Sequence, residues 1–214
     1  MRSVTSCFNS TLYRKTMARF WPLWALYTLF WMFSIPLLLL NNYFWDLPGT
    51  DSAYVQSQLY NSCLRIPRML QWGTTLACLM AVLCAMAVFG YLYSHRSAAM
   101  IHSLPMKRET LFFTQYAAGL SFMLLPNLAV AGLTAGIELL LLPTMYWGAA
   151  LKALLLWLLV QSGLCLFFFS FAALCAMFTG HSLALPVFYG IFNILVLVIH
   201  SLIMLVASSF LYGF

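Results

Sequence analysis

Five long runs of apolar residues, nearly free of charged side chains, restrict what this sequence can fold into more than any other feature. They cover residues 20–40, 69–93, 111–142, 149–178 and 182–214. A helix needs roughly 20 apolar residues to cross a bilayer, and every run reaches that length. Because the runs are continuous rather than alternating, transmembrane β-strands are excluded. The sequence therefore predicts an all-α integral membrane protein with five transmembrane helices.

The composition leaves no room for a soluble domain beside these spans. Of the 214 residues, 64% are hydrophobic and 7% are charged, against about half and about a quarter in ordinary soluble domains. This excludes a secreted disulfide scaffold, a disordered chain and a conventional cytosolic enzyme. We expect residues 1–214 to form a single transmembrane domain. The six cysteines show neither a C-x-x-C pair nor a zinc-ligand spacing, so no metal site is predicted.

Basic residues at the ends of the runs predict the orientation in the membrane, because lysine and arginine concentrate on the cytoplasmic side. With the N-terminus inside, the cytoplasm receives Arg2, Arg14, Lys15, Arg19, Arg96, Lys107 and Arg108. The outer side then receives Arg65, Arg68 and Lys152. The formal net charge of +6 is thus explained by the basic residues that orient the chain in the membrane, and it does not indicate nucleic-acid binding. The prediction is a cytoplasmic N-terminus and, after five spans, a C-terminus outside.

Residues 8–20, ahead of the first run, have the pattern of a short amphipathic helix. The stretch Asn9-Ser10-Thr11 is suited to cap its N-terminus. At about 100° per residue, Leu12 lies on an apolar face, and the opposite face carries Arg14, Lys15 and Arg19. Such a helix is suited to lie in the inner membrane interface. The alternative is a basic flank that only obeys the positive-inside rule.

The segment between the second and third runs is too long for a tight turn and too apolar for a solvated linker. A short helix is predicted there, with its apolar face exposed to the cytoplasm and its end set by proline. We expect this helix to dock on a partner, and the alternative is a helix lying on lipid headgroups. The candidate docking residues are Arg96, Met100, Ile101, His102, Leu104, Pro105, Lys107, Arg108 and Glu109.

Two stretches of the chain resemble the permease subunits of bacterial ABC transporters of the ABC-2 type. One is the loop, through residues 91–97 (YLYSHRS) and 102–112 (HSLPMKRETLF). The other is the N-terminus, through residues 8–15 (FNSTLYRK) and 20–24 (FWPLW). The remainder of the chain is similar to these permeases by hydropathy only.

The resemblance implies the permease subunit of an ATP-driven exporter in the bacterial cytoplasmic membrane. Such a subunit pairs with a second permease subunit, identical or different, and with cytoplasmic ATPase subunits that bind ATP and Mg²⁺. It carries no cofactor of its own. By resemblance, residues 12–20 are an elbow helix and residues 96–109 contain the coupling helix that contacts the ATPase. Permeases of this type usually have at least one span more, so the expectation is an incomplete permease half.

Motifs for catalysis are missing from the sequence, so we expect this chain not to be an enzyme. None of the 11 glycines precedes a lysine, which excludes a Walker A motif for ATP. Neither a Gly-x-Ser-x-Gly elbow nor a His-Glu-x-x-His zinc helix occurs. The alternative to an exporter is a membrane scaffold or sensor subunit that docks a cytoplasmic partner without transport. A proton-coupled carrier is less favoured, because the spans contain one acid and no internal repeat.

Two pairs of polar residues inside the runs are candidates for contacts within the membrane. Glu138 and Lys152 stand near the outer ends of the third and fourth runs, equally far from the turn between them, so an ion pair is predicted. It would serve as a substrate or gating contact, or only as a structural clamp. Asn193 and His200 are seven residues apart and therefore share one face of the fifth helix.

Smaller signals concern how the spans pack against each other. Asn127 and Gln161 lie inside the third and fourth runs, where an amide lines a path or bridges two helices. Gly132-x-x-x-Gly136 matches the spacing that lets two membrane helices approach closely. It is predicted as a packing motif of the third span.

Overall fold

The computed structural model describes residues 8–45, 52–93 and 107–210, which form helices joined by short connections. The α-helices in these ranges are α1 (Ser10–Arg19), α2 (Trp21–Ser34), α3 (Pro36–Trp45), α4 (Ser52–Leu64), α5 (Leu70–Phe89), α6 (Arg108–Leu141), α7 (Trp147–Phe178) and α8 (Ala184–Phe210). Short 3₁₀ helices cover Ile66–Met69, Gly90–Tyr93 and Thr144–Tyr146. No strand occurs in these three ranges, so the predicted helical fold is confirmed there.

Five segments in the described residues are long and apolar enough to cross a membrane, as predicted. They are span one (Trp21–Asn41), span two (Ile66–Tyr93), span three (Arg108–Leu141), span four (Thr144–Phe178) and span five (Ala184–Phe210). Span one combines α2 with most of α3, and the helix breaks at Ile35. The break precedes Pro36, whose ring nitrogen has no hydrogen to donate within a helix.

Small residues allow α5 and α7 to make the most extensive helix contact of the bundle. On α5, Gly73, Ala77, Ala81 and Ala85 recur every fourth residue and are all buried. Residues four apart lie on one face of a helix, so this row forms a smooth strip that another helix can approach closely. Around this contact, α2 and α6 complete a four-span core that includes Trp31 and Phe122.

Span five stands largely outside that core. The buried residues of α8 are Leu185 and Tyr189, and no residue from Gly190 to Phe210 is buried. The Tyr189 hydroxyl donates to the carbonyl oxygen of Cys78 on α5 at 3.2 Å. One hydroxyl and one short stretch therefore attach α8 to the rest of the bundle.

The bundle has two distinct ends, which are named here by the helix at each. At the α1 end, the Tyr93 hydroxyl donates to the carbonyl oxygen of Ala176 at 3.2 Å, which joins span two to the end of span four. At the α4 end, the rings of Tyr60 and Tyr146 lie 4.6 Å apart and join α4 to the turn before α7.

Candidate functional site at the α1 end and inside the bundle

α1 is a capped helix with its cations on the outside. The Asn9 side-chain oxygen accepts hydrogen bonds from the backbone N–H groups of Thr11 at 3.0 Å and Leu12 at 3.2 Å. These bonds satisfy donors that the first turn of a helix leaves without partners. Leu12 is half-buried, whereas the exposed side chains are those of Arg14, Lys15 and Arg19.

α1 is fixed to the first turns of α6. The backbone N–H of Asn9 donates to the Thr114 hydroxyl at 3.1 Å. The buried Thr16 hydroxyl donates to the Gln115 side-chain oxygen at 3.3 Å. One turn further on, the rings of Phe20 and Phe122 meet edge to face at 6.4 Å. Contacts at three points along its length hold α1 at one position on α6.

This arrangement concentrates positive charge where α6 begins. Lys107, Arg108 and Glu109 are exposed there, and the exposed cations of α1 lie on the helix that packs against the following turns of α6. We call this the basic surface, and it consists of Arg14, Lys15, Arg19, Lys107 and Arg108. The remaining docking residues of the sequence prediction, Arg96, Met100, Ile101, His102, Leu104 and Pro105, lie outside the described residues.

A second group of residues lies fully buried between spans one to four and is called the polar cluster. It consists of Tyr27, Gly73, Asn127, Gln161 and Cys165. The Tyr27 hydroxyl donates to Asn127 Oδ1 at 3.1 Å and lies 3.4 Å from Cys165 Sγ. Gln161 Nε2 donates to the Tyr27 hydroxyl at 3.3 Å and to the Gly73 carbonyl oxygen at 3.2 Å.

The polar cluster joins four spans through one continuous set of hydrogen bonds. Each member comes from a different helix, except Gln161 and Cys165, which are one turn apart on α7. In a bilayer, hydrogen bonds between helices add specificity, because lipid is as apolar as most side chains. Asn127 and Gln161, which the sequence singled out, therefore bridge helices here.

The sequence prediction missed Tyr27, Gly73 and Cys165. One signal for Tyr27 was present, since membrane tyrosines concentrate at the interfaces and Tyr27 lies six residues inside span one. A tyrosine at that depth needs a hydrogen-bond partner within the protein. For Cys165 the sequence carries no such signal, because cysteine in an apolar run behaves as a small hydrophobe.

Replacing Tyr27 by phenylalanine is expected to destabilise the bundle by about 1–2 kcal/mol. The change leaves the ring in place but removes the hydroxyl between Asn127 and Gln161. The free energy of unfolding in mixed detergent micelles measures the effect.

Tyr116→Phe is a matched control for that substitution. The Tyr116 hydroxyl meets the Ser170 hydroxyl at 2.7 Å in a half-buried position, where other partners can replace it. We expect a loss below about 0.5 kcal/mol. Equal losses of unfolding free energy in the two variants would mean that the polar cluster stabilises the bundle no more than an ordinary half-buried hydrogen bond does.

Glu138 lies near the α4 end and is 1% exposed. Neither carboxyl oxygen has a hydrogen-bond partner, while Lys152 is exposed. The predicted ion pair between these two residues is therefore not formed. The two residues are equally far from the turn between their helices, but they lie on different sides of those helices. Glu138 faces the inside of the bundle and Lys152 faces outward.

The group that faces Glu138 is the buried thiol of Cys63 on α4. Burial raises the pKa of the Cys63 thiol well above its usual range, and the adjacent Glu138 carboxyl adds to the rise. The thiol therefore stays protonated and unreactive while α4 is seated on the bundle.

The structure also differs from the sequence predictions for span five and for the Gly132-x-x-x-Gly136 motif. Asn193 donates to the backbone carbonyl oxygen of Tyr189 at 2.8 Å, within its own helix, and His200 is exposed on α8. A Cβ atom at Gly132 or Gly136 would meet no atom within 4 Å, so this motif packs against no helix of the described residues. Close approach occurs instead at Gly73 and Gly119.

Among residues 8–45, 52–93 and 107–210, no group of three or more histidine, cysteine, aspartate or glutamate side chains is arranged to hold a metal ion. No known family model, curated protein or solved structure matches the chain. The fold and the site define a helical protein whose five long apolar helices are those expected of a multi-pass membrane protein.

Proposed function

We propose that the chain is the transmembrane permease subunit of an ABC exporter. It lies in the bacterial cytoplasmic membrane with its N-terminus in the cytoplasm, and it moves substrate by alternating access. A separate ATPase subunit binds ATP and Mg²⁺ and supplies the energy, and a second permease subunit completes the membrane part. The chain itself catalyses no reaction and holds no cofactor.

The observation that carries this proposal is the attachment of α1 to the first turns of α6. The α1 contacts with Thr114 and Gln115 lie in the first two turns of α6, the helix that follows the segment between spans two and three in the sequence. A partner that pushes on the segment therefore also acts on α1 and on span three. This attachment supports the assignment of α1 as the elbow helix and of the segment before α6 as the place of the coupling helix.

The charges of the described residues support the same orientation. The basic surface contributes five cations at the α1 end, and the α4 end carries Arg65 and Arg68, with Lys152 nearby. The positive-inside rule then favours the α1 end as the cytoplasmic one. A basic surface is also suited to bind acidic groups of a cytoplasmic protein and to steer its approach.

Charge reversal at the basic surface tests the proposal. In the variant Lys107→Glu with Arg108→Glu, we expect co-purification of an ATPase from the native membranes to fall at least about tenfold, or about 1.4 kcal/mol. The physical reason is that two attractive contacts become repulsive ones. Mass spectrometry of the gently solubilised complex, searched for a Walker A protein, gives the readout.

The matched control is Arg65→Glu with Arg68→Glu, two equally exposed arginines at the α4 end. This control is expected to retain the ATPase and the normal membrane insertion. If an ATPase co-purifies with both variants, the docking surface lies elsewhere. If the wild-type chain brings down no ATPase, the scaffold or sensor function replaces the exporter.

A further inference from the structure

Glu138 is the one acidic side chain within the five candidate spans that is buried, and it has no counter-ion. Burying an ionised carboxylate without a cation costs several kcal/mol, even after the protein relaxes around it. A carboxylic acid that keeps its proton avoids most of this cost. The position of Glu138 is therefore compatible with a neutral acid and not with a carboxylate.

Among the titratable groups of the described residues, Cys63 is the one that faces Glu138, and no hydrogen bond joins the two side chains. Cys63 is the side chain that interacts with the carboxyl among the described residues. The cations at this end of the bundle, Arg65, Arg68 and Lys152, are exposed and make no ion pair with it, and Tyr60 stacks on Tyr146 instead.

The helix that brings Cys63 to Glu138 is α4, and its buried side is narrow. Its buried residues are Val55, Leu59 and Cys63, spaced by four along one side. The intervening positions Ser57, Gln58 and Asn61 are exposed. This stripe and the stacking of Tyr60 on Tyr146 hold the 13-residue helix, which buries far fewer side chains than spans two to four and is therefore the element expected to open first.

We propose that Glu138 is a proton-binding site that α4 covers and uncovers. With Cys63 seated against it, the carboxyl carries its proton. When α4 moves away, water reaches the carboxyl, the O–H bond breaks, and the proton passes to water on the α4 side while the carboxylate remains. Return of α4 requires a proton to bind first. This site does not depend on the exporter assignment, and its test needs no transport.

The consequence is that high pH favours the uncovered state. The covered state binds one proton more than the uncovered state, so raising the pH shifts the equilibrium toward uncovering by up to about tenfold per pH unit. Cys63 reports on that equilibrium, because its thiol is buried only while α4 is in place. Thiolate formation adds a separate factor of about tenfold per pH unit below the pKa of the thiol.

The experiment measures the alkylation rate of Cys63 by a water-soluble maleimide in native membrane vesicles, from about pH 5 to about pH 9. Peptide mass spectrometry quantifies the modified residue in the full chain. In the wild type we expect a region where the rate rises by nearly 100-fold per pH unit, from the product of the two factors. In Glu138→Gln the amide cannot ionise, so the rise is expected to stay near tenfold per unit.

Two further variants complete the test. Glu138→Asp retains a carboxyl and is expected to keep the steep region. Glu109→Gln makes the same chemical change at an exposed position and is expected to behave like the wild type. A wild-type rate that rises only about tenfold per unit across the whole range overturns the proposal without any variant. A steep region that persists in Glu138→Gln overturns it equally, because another group then titrates.

Discussion

Trp157→Ala is expected to destabilise the bundle by about 3 kcal/mol, the largest loss that we predict for a single substitution. Trp157 is 0% exposed, and its ring meets the Trp31 ring at a centroid distance of 4.9 Å and an angle of 74°. Alanine leaves a cavity that no neighbour fills, because Trp31 is itself packed against Tyr27. The value lies at the low end for Trp→Ala, since an unfolded membrane helix keeps its apolar side chains in lipid.

Trp72→Ala provides the comparison, because this tryptophan lies near the start of α5 and is 73% exposed. Its loss is expected to change the free energy of unfolding by less than about 0.5 kcal/mol. Both values come from unfolding curves in mixed micelles at a fixed lipid-to-detergent ratio. A loss of the same size in the two variants would contradict the packing around Trp157.

Gly119→Ala is expected to cost about 1–3 kcal/mol, the next largest effect, although alanine is the better helix former. A Cβ atom at this position would overlap the Phe169 ring, with Cζ closest and Cε2 at 2.7 Å. Val88 Cγ2 would also lie 3.2 Å from the added Cβ atom. The Phe169 ring is 0% exposed and packs against Tyr116, so it has no free space to turn into, and α6 and α7 must move apart.

The matched substitutions are Gly132→Ala and Gly136→Ala on the same helix. A Cβ atom meets nothing within 4 Å at either position, so the helix propensity of alanine is expected to stabilise α6 slightly. The expected changes in stability therefore have opposite signs at Gly119 and at Gly132 or Gly136, although all three substitutions add one methyl group to α6. The free energy of unfolding is again the quantity measured.

Hydropathy was sufficient to predict the helical fold and the five spans, because the cost of exposing the backbone to lipid leaves few alternatives. Hydropathy does not reveal which side of a span faces its neighbours. In lipid, both sides of a helix are apolar, so the 3.6-residue period that identifies a core in soluble proteins is weak. Gly132 and Gly119 look alike in the sequence, yet Gly119 contacts another helix and Gly132 is exposed.

The sequence predicts the part of the candidate site that consists of charged residues and an amphipathic helix. It does not predict the part that consists of residue types common in any membrane span. The cations of α1 and the start of α6 follow from the sequence, because charge is excluded from the bilayer. The polar cluster required the structure, since Tyr27 and Cys165 acquire their role only from the rotation of four helices. For the same reason, Glu138 was correctly recognised as unusual but was assigned the wrong neighbour.

The narrow attachment of α8 has a mechanical consequence. From Gly190 to Phe210 the helix continues for 21 residues beyond its anchor at Tyr189, a length of about 30 Å. A tilt of about 10° at the anchor displaces the far end by about 5 Å, roughly the pitch of one helical turn. If α8 rotates at this anchor beside Cys78, the far end of span five therefore moves much further than the anchored end.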